Sequence, residues 1–261
     1  MRWAVKLGSR KEPQFTMVSV KFLGCGDNFG SGGRFQTCIS VQSEAANFLI
    51  DCGASALISM KKFGVSLLDI ETILITHLHG DHFAGIPFFI LDSQLISRRT
   101  APLVIAGPPG LQDRIYRAME VMYPGSSKVK QKFEISYLEL PESLPTTIGA
   151  LSVTAEQVIH GSGAPSYALR VACAGKTIAY TGDTEWTDNL IKIASGVDLF
   201  IAETYFYEKK MKNHLNYRTL LQQRQALDCK RIIITHMSDD MLERLDSVEL
   251  EYAEDGKELQ V

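Results

Sequence analysis

The chain has 261 residues, 45% of them hydrophobic, which is enough for one large core, and no run approaches the roughly 18 apolar residues of a membrane-spanning helix. A net charge of −3 gives no global reason to expect nucleic acid or an anionic membrane as a partner, although it leaves room for a local basic patch. The five cysteines (Cys25, Cys38, Cys52, Cys173 and Cys229) are odd in number and form no CxxC pair, which argues against a disulfide scaffold and for a reduced, cytoplasmic protein.

Residues 1–16 are basic and lack the apolar centre of a secretory signal, so they read as an N-terminal extension ahead of one domain over 17–261. VSVKFLGCG (18–26) predicts a strand running into the glycine-rich loop DNFGSGGRF (27–35), where Gly30, Gly32 and Gly33 give the backbone freedom. That loop and Arg34 are candidates for contact with a phosphate, or for a flexible edge of a site. TCISVQS (37–43) and NFLIDCG (47–53) predict two more strands, being short and rich in Val and Ile. SALISMKKFG (55–64) predicts a helix stopped by Gly64. ETILITH (71–77) predicts a strand that ends on a histidine, and FAGIPFFILDSQLI (83–96) a helix whose start is blurred by Pro87. APLVIAGPP (101–109) then predicts a strand and turn, and LQDRIYRAMEVMY (111–123) a helix of good propensity. Segments 133–140, 149–160 and 166–183 are strand-rich. Helices over 189–196 and 217–227 alternate with strands over 197–204 and 229–236, and the tail from Asp239 starts helical and ends acidic. The chain has no repeat and no linker between two cores, and this order suits helices layered on sheets.

The chemistry concentrates in His77-Leu78-His79-Gly80-Asp81-His82, directly after the apolar strand 71–77. Two histidines one residue apart can reach a single metal from a strand end. Gly80 is expected to permit the turn that brings Asp81 and His82 to a second ion. Imidazole and carboxylate are natural ligands of zinc and similar borderline metals. A chain of this length contains HxHxDH by accident on the order of once in ten thousand, which sets aside a chance histidine-rich loop.

This run and its setting resemble the metallo-β-lactamase superfamily, whose fold is a four-layer αββα sandwich of the α/β (α+β) class. Further family features follow in chain order: Asp51 in IDCG, which in the family supports the metal loop, then His160 in VIHGS, Asp183 in YTGDT and His236 in IIITHMS. The resemblance spans Val18 to Ser238 and makes 17–261 a single metallo-β-lactamase-like hydrolase domain. It implies two divalent metal ions, zinc first, with manganese or iron accepted by the same ligands. His77, His79 and His160 would serve one ion and Asp81, His82 and His236 the other, with Asp183 bridging and Asp81 counted as catalytic too. Five of the six histidines fall on these positions.

The sixth, His214, resembles the histidine by which the ribonuclease Z branch protonates a leaving group, and Glu203 in IAETYF resembles the glutamate that orients it. The resemblance implies hydrolysis by water shared between two ions, its pKa lowered from 15.7 to about 7. An alkoxide is a poor leaving group, so an acid at His214 favours phosphodiester cleavage over β-lactam opening. Ribonuclease Z has a long tRNA-gripping arm between its third histidine and bridging aspartate; here Ser162 to Thr181 leaves room only for a hairpin around Ala174-Gly175. Arg98, Arg99, Lys209, Lys210 and Lys212 are the basic clusters, and they read as solvated surface rather than a nucleic-acid footprint. The expected partner is therefore a small ester, first of all a phosphodiester, rather than nucleic acid or membrane; homodimers occur in this branch. An armless phosphodiesterase, like the accessory enzyme of carbon–phosphorus lyase, is preferred over a lactonase or thioesterase on the same metals, and over a tRNA 3′-end endoribonuclease. A di-iron oxidoreductase is disfavoured by His79, and a silent binding protein by the complete ligand set.

Overall fold

The computed structural model describes residues 17–261, so the expected extension 1–16 lies outside the described residues. Short runs of Val, Ile, Leu and Phe form strands here because their side chains alternate between two apolar layers. In β1 (Ser19–Gly24), for example, Phe22 packs in one apolar layer and Leu23 in another.

One seven-stranded sheet joins β1 to β2 (Cys38–Gln42), β3 (Asn47–Ile50), β4 (Thr72–Leu74), β5 (Leu103–Gly107) and β6 (Ile135–Glu139), with β14 (Glu258–Gln260) on the other side of β1. The second contains β7 (Thr146–Ile148), β8 (Leu151–Val158), β9 (Ser166–Cys173), β10 (Lys176–Tyr180), β11 (Leu199–Glu203), β12 (Ile232–Thr235) and β13 (Glu251–Tyr252), in that order. Helices α1 (Ala56–Lys62), α2 (Gly80–Phe83), α3 (Ile86–Leu95) and α4 (Leu111–Met122) belong to the first half. Helices α5 (Asn189–Ala194), α6 (Tyr217–Gln223) and α7 (Asp239–Leu242) belong to the second.

Three apolar layers hold these four together. Phe22, Ile39, Phe48 and Ile50 meet Val153, Leu169, Ile178 and Ile201 between the sheets. Leu49, Ile73 and Ile105 pack under Met60, Phe89 and Ile115 of the first helices. Phe200, Ala202 and Ile234 pack under Leu190, Leu220 and Met241 of the others. Each fully buried side chain of this size contributes about 1.5–3 kcal/mol relative to exposure. This is the αββα sandwich that the sequence implied. Among the described residues no helix is long and apolar enough to cross a membrane.

Topology decides where the site can form. Strands β3 to β6 are mutually parallel, as are β10 to β13. Strand β8 is antiparallel to β9 and β9 to β10, so β8 runs with β10. The C-terminal ends of β3, β4, β8, β10, β11 and β12 therefore carry Asp51, His77, His160, Asp183, Glu203 and His236.

Three short strands escaped the sequence reading: β7, β13 and β14. Their sequences, TTI, EY and ELQ, are too short to show a period; pairing with β8, β12 and β1 makes them strands. The helix expected over 83–96 is split at Gly85, and Pro87 sits in the first turn of α3, where its missing N–H costs nothing. Between β9 and β10 the turn is Ala174-Gly175, with φ of 50° and 76°, the two-residue hairpin geometry that leaves no room for an arm.

Candidate metal centre and its cavity

The Asp51 carboxylate organises the first loop. It accepts hydrogen bonds from Thr76 N–H at 2.8 Å, from the Thr76 hydroxyl at 2.9 Å and from His82 Nδ1 at 2.7 Å. Because Thr76 gives its hydroxyl proton to Asp51, it accepts from His77 Nδ1, 3.0 Å away. His77 and His82 are thus both held with Nδ1 protonated and Nε2 bare. His160 is fixed likewise, its Nδ1 donating to the Asn213 carbonyl at 2.8 Å. Asp51 and His236 have φ of 59° and 57°, a left-handed conformation rare outside glycine, held by the loops they begin. Gly53 is required for a different reason: a Cβ there would lie 2.3 Å from the Asp81 carbonyl.

Two ligand sets result. His77, His79 and His160 offer ligand atoms within 4.8 Å of one another, and so do Asp81, His82, Asp183 and His236. His79 Nδ1 and His160 Nε2 are 3.0 Å apart, close to the ~3.3 Å edge of a tetrahedron built on bonds of about 2.0 Å. Asp183 faces both sets. Its Oδ2 lies 3.8 Å from His77 Nε2 and 3.9 Å from His160 Nε2, and its Oδ1 lies 3.3 Å from His82 Nε2 and 3.5 Å from His236 Nε2.

These residues fit metal ions on their own chemistry. His77 Nε2, His82 Nε2 and Asp183 Oδ1 are buried with no hydrogen-bond partner, a costly state unless something coordinates them. Charge agrees. Burial opposes ionisation of Asp183, yet His236, His82 and His77 hold it well below the usual carboxylate range. Burial likewise works against protonation of His236, yet Asp183 and Asp81 push its pKa up to about 9. The carboxylates thus call for positive charge, which imidazolium protons or metal cations can supply.

His214 and Glu203 sit beside this cluster. Glu203, fully buried at the end of β11, accepts from His214 Nδ1 at 3.0 Å and from the backbone N–H groups of Thr184 and Leu215. Burial disfavours a charged His214, but its hydrogen bond to Glu203 and the charge of Glu203 raise its pKa. Burial and the charge of Asp183 raise Glu203 as well; the proton it would take is the one His214 already donates to it. Tyr205, absent from the sequence reading, stacks on His214 with ring centroids 4.6 Å apart and lines the cavity. Nothing in IAETYF distinguishes it from an ordinary aromatic at a strand end.

A cavity of about 320 Å³ opens over both ligand sets, lined also by Asn28, Phe29, Met211 and Lys212. Three expectations are corrected here. Gly80 needs no special backbone: it opens α2 with ordinary helical geometry, and a Cβ would meet nothing nearer than Ala84 Cβ at 3.8 Å. The loop 27–35 is not a phosphate cradle. Asp27 takes the N–H groups of Phe29 and Ser31, Asp239 takes that of Gly32, and Arg34 turns inward to the Ala253 carbonyl at 2.9 Å. The loop instead brings Asn28 and the 80%-exposed Phe29 to the cavity edge. Arg99 is not surface charge. It is 1% exposed, and its guanidinium donates to the carbonyls of Leu67, Ile70, Ala101 and Pro102.

Comparison with known proteins agrees with this geometry. The family model described as Anti-Pycsar protein Apyc1 matches residues 18–257. Ribonuclease Z of Methanothermobacter thermautotrophicus is 27% identical over 278 aligned positions, covering 85% of this chain and 87% of its own. The crystal structure of the short form of human tRNase Z superposes with a TM-score of 0.74 at 26% identity, over 92% of this chain and 98% of that one. The metallo-β-lactamase fold protein YhfI from Bacillus subtilis gives a TM-score of 0.73 at 21% identity, over 93% and 99% of the two chains, and shows the shared fold.

Proposed function

The chain belongs to the Anti-Pycsar protein Apyc1 family and is a ribonuclease Z-like, metal-dependent hydrolase of the metallo-β-lactamase superfamily; within those bounds we propose that it hydrolyses small phosphodiesters, cyclic or linear, at a two-metal site. The observation that carries this reading is the His214–Glu203 pair, 3.0 Å apart at the wall of the cavity. A carboxylate on Nδ1 keeps the imidazole aimed through Nε2, the arrangement of a general acid. Thiolates leave without such help, whereas an alkoxide leaving phosphorus needs it.

His77, His79 and His160 would hold one ion and Asp81, His82 and His236 the other, with one oxygen of Asp183 for each. Zinc suits this donor set before manganese or iron. Bound there, such ions would make water a nucleophile near neutral pH and offset charge on the phosphoryl oxygens. The chain's own residues do the rest. Asp81, at the cavity wall, would orient the attacking water. The water gives one proton to solvent and its oxygen forms the new bond to phosphorus. The bond to the alcohol oxygen breaks with its electron pair, and His214 Nε2 gives that oxygen a proton, which His214 regains from solvent. The two-residue turn between β9 and β10 disfavours a tRNA substrate, because no arm is there to grip one.

The test is a panel of phosphodiesters with leaving alcohols of graded acidity, alongside lactones and thioesters, on metal-loaded protein. We expect phosphodiester turnover, with His214→Ala costing about 10²–10⁴-fold for alkyl leaving groups and little for 4-nitrophenolate. Cleavage of lactones or thioesters with no phosphodiester turnover would overturn the reading.

A further inference from the structure

Next to the reaction cavity lies a second of about 170 Å³. The two share a wall, since His214 and Met211 line both. The second is also lined by Trp186, Leu215, Lys210 and Asn216, and Trp186 is seated against the outer apolar layer that contains Leu190 and Phe200. This volume is below the roughly 300 Å³ at which whole small-molecule sites begin. It suits one part of a ligand whose remainder lies elsewhere.

His214 decides which part. On the phosphodiesterase reading above, on which this inference rests, the proton of His214 goes to the leaving oxygen. Whatever that oxygen carries begins at His214, and the cavity beyond His214 is the one that holds Trp186. We propose that this second cavity is the subsite for the leaving alcohol, and that it selects an alcohol bearing a planar, apolar substituent with hydrogen-bond acceptors. Trp186 provides a flat apolar partner for such a ring. Lys210 and Asn216 supply donors around it, while Glu185 and the Thr219 hydroxyl are groups that can accept. Lys210 can only donate. The Asn216 carbonyl oxygen is taken by Thr219 N–H at 2.8 Å, which leaves its amide N–H groups for a guest. Glu185 Oε1 is taken by Asn213 N–H at 2.8 Å.

Trp186 is also the reporter, because the chain has two tryptophans, Trp3 and Trp186. In the full-length Trp3→Phe protein, indole emission reports the second cavity alone. We expect 4-nitrophenol to quench it saturably and methanol not to. Kinetics separates the leaving side from the retained side. Methyl 4-nitrophenyl phosphate and bis(4-nitrophenyl) phosphate release the same phenol but keep different groups. Trp186→Ala should raise KM about tenfold for both alike. A KM change below twofold for both, a rise for the bis-aryl ester alone, or a linear, unsaturable quench each overturns the proposal. If Trp186→Ala does not fold, Lys210→Met, at an exposed position, decides the matter: an unchanged KM for both esters overturns the proposal and a shared rise supports it. An unaltered enzyme that cleaves neither ester refutes the phosphodiesterase reading instead, while the quenching experiment still reports on the cavity.

Discussion

The two sheets furnish the site in different ways. The first delivers its groups from two neighbouring strand ends: Asp51 after β3, and the run 77–82 after β4. The second delivers four separate residues from four strand ends, namely His160, Asp183, Glu203 and His236. The first set is a compact unit, since Asp51 and Thr76 orient two imidazoles through bonds between two neighbouring buried loops. The second set depends on sheet register, and a slip of one residue would turn these side chains to the other face. Changes in the first half should therefore disturb ligand orientation, whereas changes in the second should disturb charge and chemistry.

The largest effect is expected at Asp183, the residue facing both ligand sets. Asp183→Asn keeps the shape and removes the charge. Turnover should fall on the order of 10³-fold or more, and metal content measured by mass spectrometry should drop with it. Unchanged metal stoichiometry would remove Asp183 from the site and leave the second sheet with a smaller share than its geometry suggests. A smaller loss is expected at Asp51, which lines neither of the two cavities described but sets two tautomers. Asp51→Asn should weaken metal affinity by about 10–100-fold in a chelator competition, the usual cost of losing a carboxylate behind a ligating histidine. Less than a twofold change would mean that the first loop holds its shape without Asp51.

The same contrast explains what the sequence discloses. A contiguous HxHxDH after an apolar strand is visible in one dimension, and the layered fold follows from strand and helix periods. His160 and His236 carry no local pattern and become legible only when the order of strand ends is compared with a family. Arg98 and Arg99 look alike as a doublet, yet Arg99 is buried under four carbonyls, a fate set by the 67–70 turn and by Ala101 and Pro102 folding over it. Loop 27–35 looks like an anion cradle until Asp27 and, from more than two hundred residues away, Asp239 take its N–H groups. The edge strand β14 is invisible because its three residues become a strand only by covering β1.

Glu203 tests the chemical half of the comparison through pH. Its bond to His214 raises the imidazole pKa, and Asp183 adds to this. On the proposed two-metal reading, cations held by Asp183 would cancel the second contribution, leaving Glu203 to set His214. A general acid works while protonated, so activity toward an alkyl leaving group is present below the His214 pKa and lost as pH rises through it. Glu203→Gln removes the charge that raises that pKa, and the alkaline limb of kcat should move to lower pH by about one unit, a tenfold loss on that limb. With 4-nitrophenolate as leaving group the limb should not move. A shift of the same size for both leaving groups would assign the limb to the metal cluster rather than to His214.

The smallest effect is expected at the residue that looks most necessary in the motif. Gly80 lies between His79 and Asp81 of the run, where a turn would call for glycine. Its backbone is that of an ordinary first helical residue, and the nearest atom to an added Cβ is 3.8 Å away. Alanine is the better helix former by up to about 1 kcal/mol. Gly80→Ala should therefore leave metal content unchanged and raise the melting temperature by about 1–2 °C. Because Gly80 lines the cavity, the added methyl group should raise KM, but by no more than about threefold. Loss of metal from this variant would show that the turn needs glycine after all, and that the first loop depends on backbone freedom as well as on Asp51.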